Sequence, residues 1–204
     1  MKTDSCSAQR GRPRAFDADA ALESAMRIFW EKGYEGASLT DLTEAMGINR
    51  PSLYAAFGNK EELFSKVLDR YTCSNMPHFE GALALPTARA GIEQILRHAV
   101  ARQAVAGTPT GCLGVQTALA CGEEGEQVKQ RLIEFRRATE CKLRQRLERA
   151  QVEGEKLPGG VEPADLARFF SAVLNGLSVQ SATGYCCTEL SRVVDIAMTA
   201  WPTE

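Results

Sequence analysis

The stretch that decides the fold is Ser38–Lys60, SLTDLTEAMGINRPSLYAAFGNK. Leu39, Leu42, Ala45 and Met46 recur at helical intervals, which predicts one apolar face on a first short helix. Ser38 stands just ahead of that run, where its hydroxyl can cap the first-turn amides. Gly47 follows the last apolar position, where a helix commonly ends in the left-handed conformation. Ile48 turns inward, and Asn49-Arg50-Pro51 opens a second helix. Proline suits the first helical position because its missing N–H has no partner there in any case. Leu53 and Phe57, four apart, point back to the core. Arg50, Pro51, Ser52, Tyr54 and Ala55 are left on the opposite face, the one that a recognition helix presents to the major groove. Two packed helices of an ordinary α-protein would share the spacing. An outward Tyr54 on so short a helix, with Arg50 at its N-terminal end, favours DNA binding instead.

A helix is predicted from a cap at Asp17 to about Lys32, with Ala21, Leu22, Ala25, Ile28 and Phe29 as its buried stripe and Gly33 at its end. Asn59 caps a fourth helix that carries Leu63, Phe64, Val67 and Leu68 to about Tyr71. The residues from Arg14 to Tyr71 closely resemble the N-terminal domain of the tetracycline-repressor (TetR) family of transcriptional regulators. Phe16-Asp17, Ala21-Leu22, Phe29, Gly33-Tyr34, Ser38-Leu39-Thr40, Gly47-Ile48, Ser52-Leu53-Tyr54, Phe57 and Asn59-Lys60-Glu61-Glu62-Leu63 carry the match. The resemblance implies a DNA-binding head on a helical body that binds a ligand and dimerises. It also places Lys60 against the DNA backbone, beside helix amides that can face a phosphate. Thr40, at the start of the first motif helix, is a further phosphate candidate. Asp41 departs from relatives that use a basic or polar contact there, and an anion at that position repels phosphate while favouring the helix dipole.

Upstream, Lys2, Arg10, Arg12 and Arg14 are accompanied by one acid, Asp4. Charged termini are usually solvated tails. Next to a DNA-reading head, Arg12 and Arg14 also suit a minor groove, which attracts arginine. The 204 residues carry a formal charge of −2, with 24 basic and 26 acidic side chains. By charge alone that balance does not look like a nucleic-acid binder, but the basic residues need only be clustered, not in excess. No apolar run is long enough to span a bilayer. The N-terminus lacks the apolar core of a secretory signal, from which a cytoplasmic location is expected.

Beyond Asn75 the periodicity fades until Pro86, a stretch that reads as a linker. Helices are then expected at about 88–105, 112–120, 126–153, 163–184 and 189–201, with no credible strand. The whole is an all-α chain of about nine helices. It divides into a basic arm (1–15), a helix-turn-helix domain (16–74) and a ligand-binding and dimerisation domain (75–204). Val193, Val194, Ile196, Ala197 and Ala200 cover more of the last helix than packing on one side requires, which points to a partner copy. The expected homodimer interface is made by the helices at about 163–184 and 188–201, the pair that the resemblance also implies. An effector pocket is expected among the body helices, with His98, Cys112, Gln116 and Phe135 as candidate wall residues. Phe170, Leu174 and Asn175 complete that set.

Seven cysteines stand at positions 6, 73, 112, 121, 141, 186 and 187. Their spacing makes no Cys/His metal set, so neither metal nor cofactor is expected. Free cysteine is commonly a small core residue. Cys112 or Cys121, close to the expected pocket, is the candidate for an oxidant- or electrophile-sensing thiol. No Gly-rich phosphate loop, HExxH or nucleophile elbow is present, so no catalytic residue is assigned. The sequence therefore favours a dimeric repressor released from a palindromic operator by a small molecule. A thiol-sensing regulator and a helical adaptor that binds protein rather than DNA are the competing readings.

Overall fold

The computed structural model describes residues 16–102, 107, 109–119 and 125–201. Among them are nine helices and no strand: α1 (Ala18–Gly36), α2 (Leu39–Met46), α3 (Arg50–Phe57), α4 (Lys60–Leu83), α5 (Ala88–Ala101), α6 (Leu113–Leu119), α7 (Glu126–Val152), α8 (Pro163–Ala182) and α9 (Cys187–Met198). Arg12 and Arg14 of the basic arm, and Cys6 and Cys121, lie outside the described residues.

The head is built from caps inward. Asp17 accepts from the amides of Asp19 and Ala20 and starts α1. Gly33, at φ 71° and ψ 177°, interrupts α1 where the sequence predicts its end, and the helix resumes to Gly36. The buried stripe of α1 is Ala21, Ala25, Met26, Phe29 and Trp30, with Leu22 and Ile28 only half-buried at its edge. Phe29 sits edge-on to Phe64 of α4 at 5.1 Å between centroids, and Tyr34 packs against the same ring at 5.5 Å. Such aromatic pairs fix how α1 crosses α4 as well as burying area.

One expectation about α2 is corrected. Ala45 is exposed, and Thr43 takes its place in the core. The Thr43 hydroxyl donates to the carbonyl of Leu39, so burial leaves it satisfied.

A second correction concerns the stretch 75–86. Residues 75–83 are not a linker but the last turns of α4. Pro77 lies inside this helix, where it removes one ladder hydrogen bond. Polar neighbours bond the local carbonyls: Ser74 Oγ donates to the carbonyls of Arg70 and Tyr71, and Asn75 Nδ2 also donates to Tyr71. The extension is held by packing, because Phe79, Ala82 and Leu83 join the body core.

Two hydrophobic clusters result. The head cluster reaches beyond α1–α4 to take in Leu113 of α6 and Val128 and Leu132 of α7. The body cluster joins α5, α7, α8 and α9 around Leu96, Leu143, Phe170 and Trp201. α4 contributes to both, so it runs from the base of the helix-turn-helix motif into the body. Buried Arg146 of α7 reinforces the body by donating to the carbonyls of Leu85 and Pro86 and to Glu155 at 2.8 Å. On α9, Leu190, Val194, Ala197 and Met198 face the core while Val193 and Ile196 face outward. Phe169 and Val179 of α8 are likewise exposed.

Candidate nucleic-acid interface and effector cavity

α2 and α3 are each set by a capping side chain. Ser38 Oγ accepts from the amide of Asp41 at 3.0 Å, and the Asp41 carboxylate accepts from the amide of Ser38 at 3.0 Å. This reciprocal pair satisfies two otherwise orphaned donors. Asp41 also pairs with Lys32 of α1. Lys32 and Ser38 together hold the Asp41 carboxyl down at about 2. Its charge is thus committed to Lys32 and to the start of α2. At the far end Gly47 adopts the left-handed conformation, φ 65°, and lets Ile48 N donate back to the Thr43 carbonyl at 3.1 Å. Asn49 then accepts from the amide of Ser52 at 2.9 Å and opens α3.

With the turn fixed, side-chain direction on α3 follows. Leu53 and Phe57 are buried, while Arg50, Pro51, Tyr54 and Ala55 are exposed and Ser52 is half-buried. Tyr54, 48 % exposed, contributes little to the core. Arg50 Nη2 donates to Thr40 Oγ1 at 3.1 Å, which ties the start of α3 to the start of α2. Lys60 stands at the first turn of α4 with its ammonium 4.6 Å from the centre of the Tyr34 ring. The Asn59–Glu62 capping box orients this turn, with both hydrogen bonds at 2.8 Å. Thr40, Arg50, Pro51, Ser52, Tyr54 and Ala55 thus sit together on the α2–α3 side of the head. Sequence reasoning did not anticipate that Thr40 and Arg50 bond to each other.

The cavity lies in the body and has a volume of about 150 Å³. α4 supplies Tyr71, Asn75, His78 and Phe79, and α5 with its end supplies Ile95, His98, Ala99 and Arg102. Gly111 and Cys112 close it ahead of α6, α7 adds Phe135, Arg136 and Thr139, and α8 adds Ser171, Leu174, Asn175 and Ser178. His98, Cys112, Phe135, Leu174 and Asn175 of the candidate set line it. Two candidates do not. Phe170 is buried on the other side of α8 against Trp201, 5.4 Å between centroids. Gln116 turns away to donate to the Thr110 carbonyl at 2.9 Å and lines a separate groove beside Trp30.

The α4 members and the two arginines were missed. The linker reading removed α4 from the body, and arginines on charge-rich helices look solvated. Their arrangement is specific. The His78 and His98 rings stack at 4.4 Å between centroids. Burial, His78 and Arg102 all push the His98 pKa below its ordinary value. Tyr71 donates its hydroxyl to Cys112 Sγ at 3.3 Å, and burial pushes the phenol well up. Arg102 stacks over Trp30 of α1 and Tyr71 of α4 at 5.4 and 5.7 Å. Trp30 in turn donates to the Thr110 carbonyl at 3.1 Å and meets Tyr71 edge-on at 5.1 Å. The cavity wall and the head core therefore share side chains.

Comparison with known proteins agrees with this architecture. Residues 21–67 match the family model described as bacterial regulatory proteins, tetR family. The chain is 34 % identical over 211 aligned positions to the HTH-type transcriptional repressor ComR of Escherichia coli K12, covering 99 % of this chain and 98 % of ComR. It is 28 % identical to the repressor BdcR of the same organism, covering 97 % and 95 %. Among solved structures, a cysteine mutant of the TetR-family regulator CifR in complex with 26-bp operator DNA superposes with a TM-score of 0.88 at 44 % identity, covering 94 % of this chain and all of that one. A chain with this motif, this helical body and these full-length relatives belongs to the TetR family of bacterial transcriptional regulators.

Proposed function

We propose that the protein is a homodimeric transcriptional repressor that binds a two-fold operator through α3 and is released by a small molecule in the body cavity. The outward face of α3 is the observation that carries this reading: Arg50, Tyr54 and Ala55 are exposed on a helix whose other face is buried at Leu53 and Phe57. ComR and BdcR are repressors, and CifR has been captured on its operator. In this reading Arg50 contacts a base edge, worth about 1–3 kcal/mol of discrimination when bidentate to guanine. Thr40, Ser52, Tyr54 and Lys60 set the register on phosphates. The exposed apolar residues Phe169, Val179, Val193 and Ile196 of α8 and α9 supply the dimer face. A dimer reads two half-sites, with recognition helices about 34–36 Å apart in successive major grooves. No helix among the described residues is long and apolar enough to cross a membrane, and we assign the chain no catalytic role.

The test is binding of the dimer to DNA from around its own gene. Arg50→Ala with Tyr54→Ala is expected to abolish specific binding and leave the dimer and its melting temperature intact. Affinity of the parent protein should fall steeply with salt, because phosphate contacts release counterions. Intact operator binding by the double variant would refute the assignment of reading to Arg50 and Tyr54, and a parent dimer that binds no such DNA would favour the adaptor reading.

One observation favours a second mode of release. Cys112 Sγ lies on the cavity wall and accepts the Tyr71 hydrogen bond, so a thiol adduct there would disturb the side chains that meet Trp30. Iodoacetamide mapping of the native dimer separates the two modes: fast, selective labelling of Cys112 supports thiol sensing, and uniformly slow labelling ends it.

A further inference from the structure

The charge balance of the cavity wall differs from that of the rest of the molecule. Elsewhere the described basic side chains are mostly matched: Arg70 pairs with Asp19 and Glu23, Arg97 with Glu93 and Asp195, Arg131 with Asp69, and Lys142 with Glu80. Such pairing is unsurprising in a chain with 26 acids and 24 bases. The cavity is lined by two guanidiniums and two imidazoles, and no described carboxylate lines it. Arg136, half-buried on α7, makes no ion pair or hydrogen bond with a described residue. Arg102 is held by neutral groups, the Asn75 side-chain carbonyl and the faces of Trp30 and Tyr71. Like charges gathered in a partly desolvated space raise each other's cost. Burial first, and then His78 and Arg102, hold the His98 pKa below its ordinary value.

We infer that the cavity takes a compact monocarboxylate, its anionic end between Arg102 and Arg136 and its apolar body against Ile95, Phe135 and Leu174. The inference rests on the reading of this cavity as the effector site and gives that effector a charge and a size. A guanidinium presents a planar fork that a carboxylate can accept in two parallel hydrogen bonds, stronger than neutral ones. The size follows from the volume. About 150 Å³ is the scale of a cavity that holds a benzene ring, so a single-ring acid is a fitting size. Engagement of Arg102 by a carboxylate also draws it from the Trp30 ring, so occupancy is communicated to α1 through a side chain shared by both regions.

The experiment is calorimetric titration of the full-length dimer with benzoate, benzyl alcohol and benzylamine, which share a ring and differ in charge. Benzoate should bind, benzyl alcohol at least about tenfold more weakly, as expected for loss of a charge-assisted hydrogen bond, and benzylamine not at all. Arg136→Gln should weaken benzoate by about tenfold or more, and Arg136→Lys should restore much of the loss. Benzyl alcohol binding as tightly as benzoate, no binding of benzoate, or an Arg136→Gln variant with undiminished affinity overturns the inference. The ligand series on the parent protein decides the matter even if a variant fails to fold. Failure of the underlying reading looks different: benzoate binds with the expected charge preference, yet a saturated dimer keeps its full affinity for the operator.

Discussion

The outward face of α3 and the body cavity are assembled in opposite ways. The α3 face comes from one eight-residue helix, and two local caps orient it: Ser38 with Asp41, and Asn49 with Ser52. Every residue that it presents lies within twenty positions of every other. The cavity draws on four helices and a loop, and its wall joins Tyr71 to Arg136 and Ser178 across a hundred positions. The first surface is fixed by local hydrogen bonding, the second by long-range packing. The head that carries the first surface meets the cavity wall at Trp30 and Tyr71, where the head cluster admits Leu113, Val128 and Leu132 of the body. Reader and cavity are therefore predicted to share stability as well as contacts.

Phe29→Ala gives the largest expected effect on that shared core. Phe29 is fully buried and packs against Phe64 and Tyr34. Truncation of a buried phenylalanine costs about 3–5 kcal/mol. Because body residues join its cluster, urea unfolding followed by tryptophan fluorescence and by circular dichroism should shift as one transition. Two separated transitions, with the body unmoved, would break the claim that head and body are one cooperative unit.

Which parts were legible in the sequence follows from the same contrast. The three head helices, their caps and the outward face of α3 could all be read, since apolar spacing and capping residues are local signals. Ala45 was misplaced because an eight-residue helix offers few turns from which to fix the centre of its apolar stripe, and Thr43 hides its polarity by bonding to the Leu39 carbonyl. The end of α4 was illegible for a different reason. Pro77 and Gly81 are local breaking signals, and only the distant packing of Phe79, Ala82 and Leu83 overrides them. Losing that segment lost Asn75, His78 and Phe79 from the cavity. Phe170 and Leu174 share the periodic stripe of α8, and which of the two faces a cavity depends on Trp201, thirty-one positions beyond Phe170.

Gly114→Ala sharpens the comparison at the next level of effect. A Cβ there would stand 2.6 Å from the Phe135 ring, too close for the ring to stay. Overpacking costs about 1–3 kcal/mol, offset in part by roughly 1 kcal/mol of helix propensity. The displaced ring belongs to the cavity wall and not to the α2–α3 surface. Benzoate affinity should therefore change more than operator affinity of the ligand-free dimer, measured side by side. Equal losses in both would show that the surfaces are not separable at this side chain.

Asp41→Asn has the smallest expected effect and tests the local caps alone. Its carboxyl is lowered from 3.8 to about 2 by Lys32 and Ser38 in the folded chain. A depressed folded-state pKa gives stability that is present above the unfolded value and lost as pH falls through the folded one. The parent chain should lose this contribution between about pH 4 and pH 2, and the Asn variant, with no proton to bind there, should lose correspondingly less across that window. At pH 7 the variant should be the less stable of the two, since it forfeits the Lys32 ion pair. Operator affinity carries the opposing sign, because removing an anion from the first turn of α2 relieves repulsion of phosphate. A variant that is slightly less stable yet binds DNA slightly more tightly would show that Asp41 serves the geometry of α2 at some expense to its electrostatics. Weaker binding with unchanged stability would instead make Asp41 part of the reading surface.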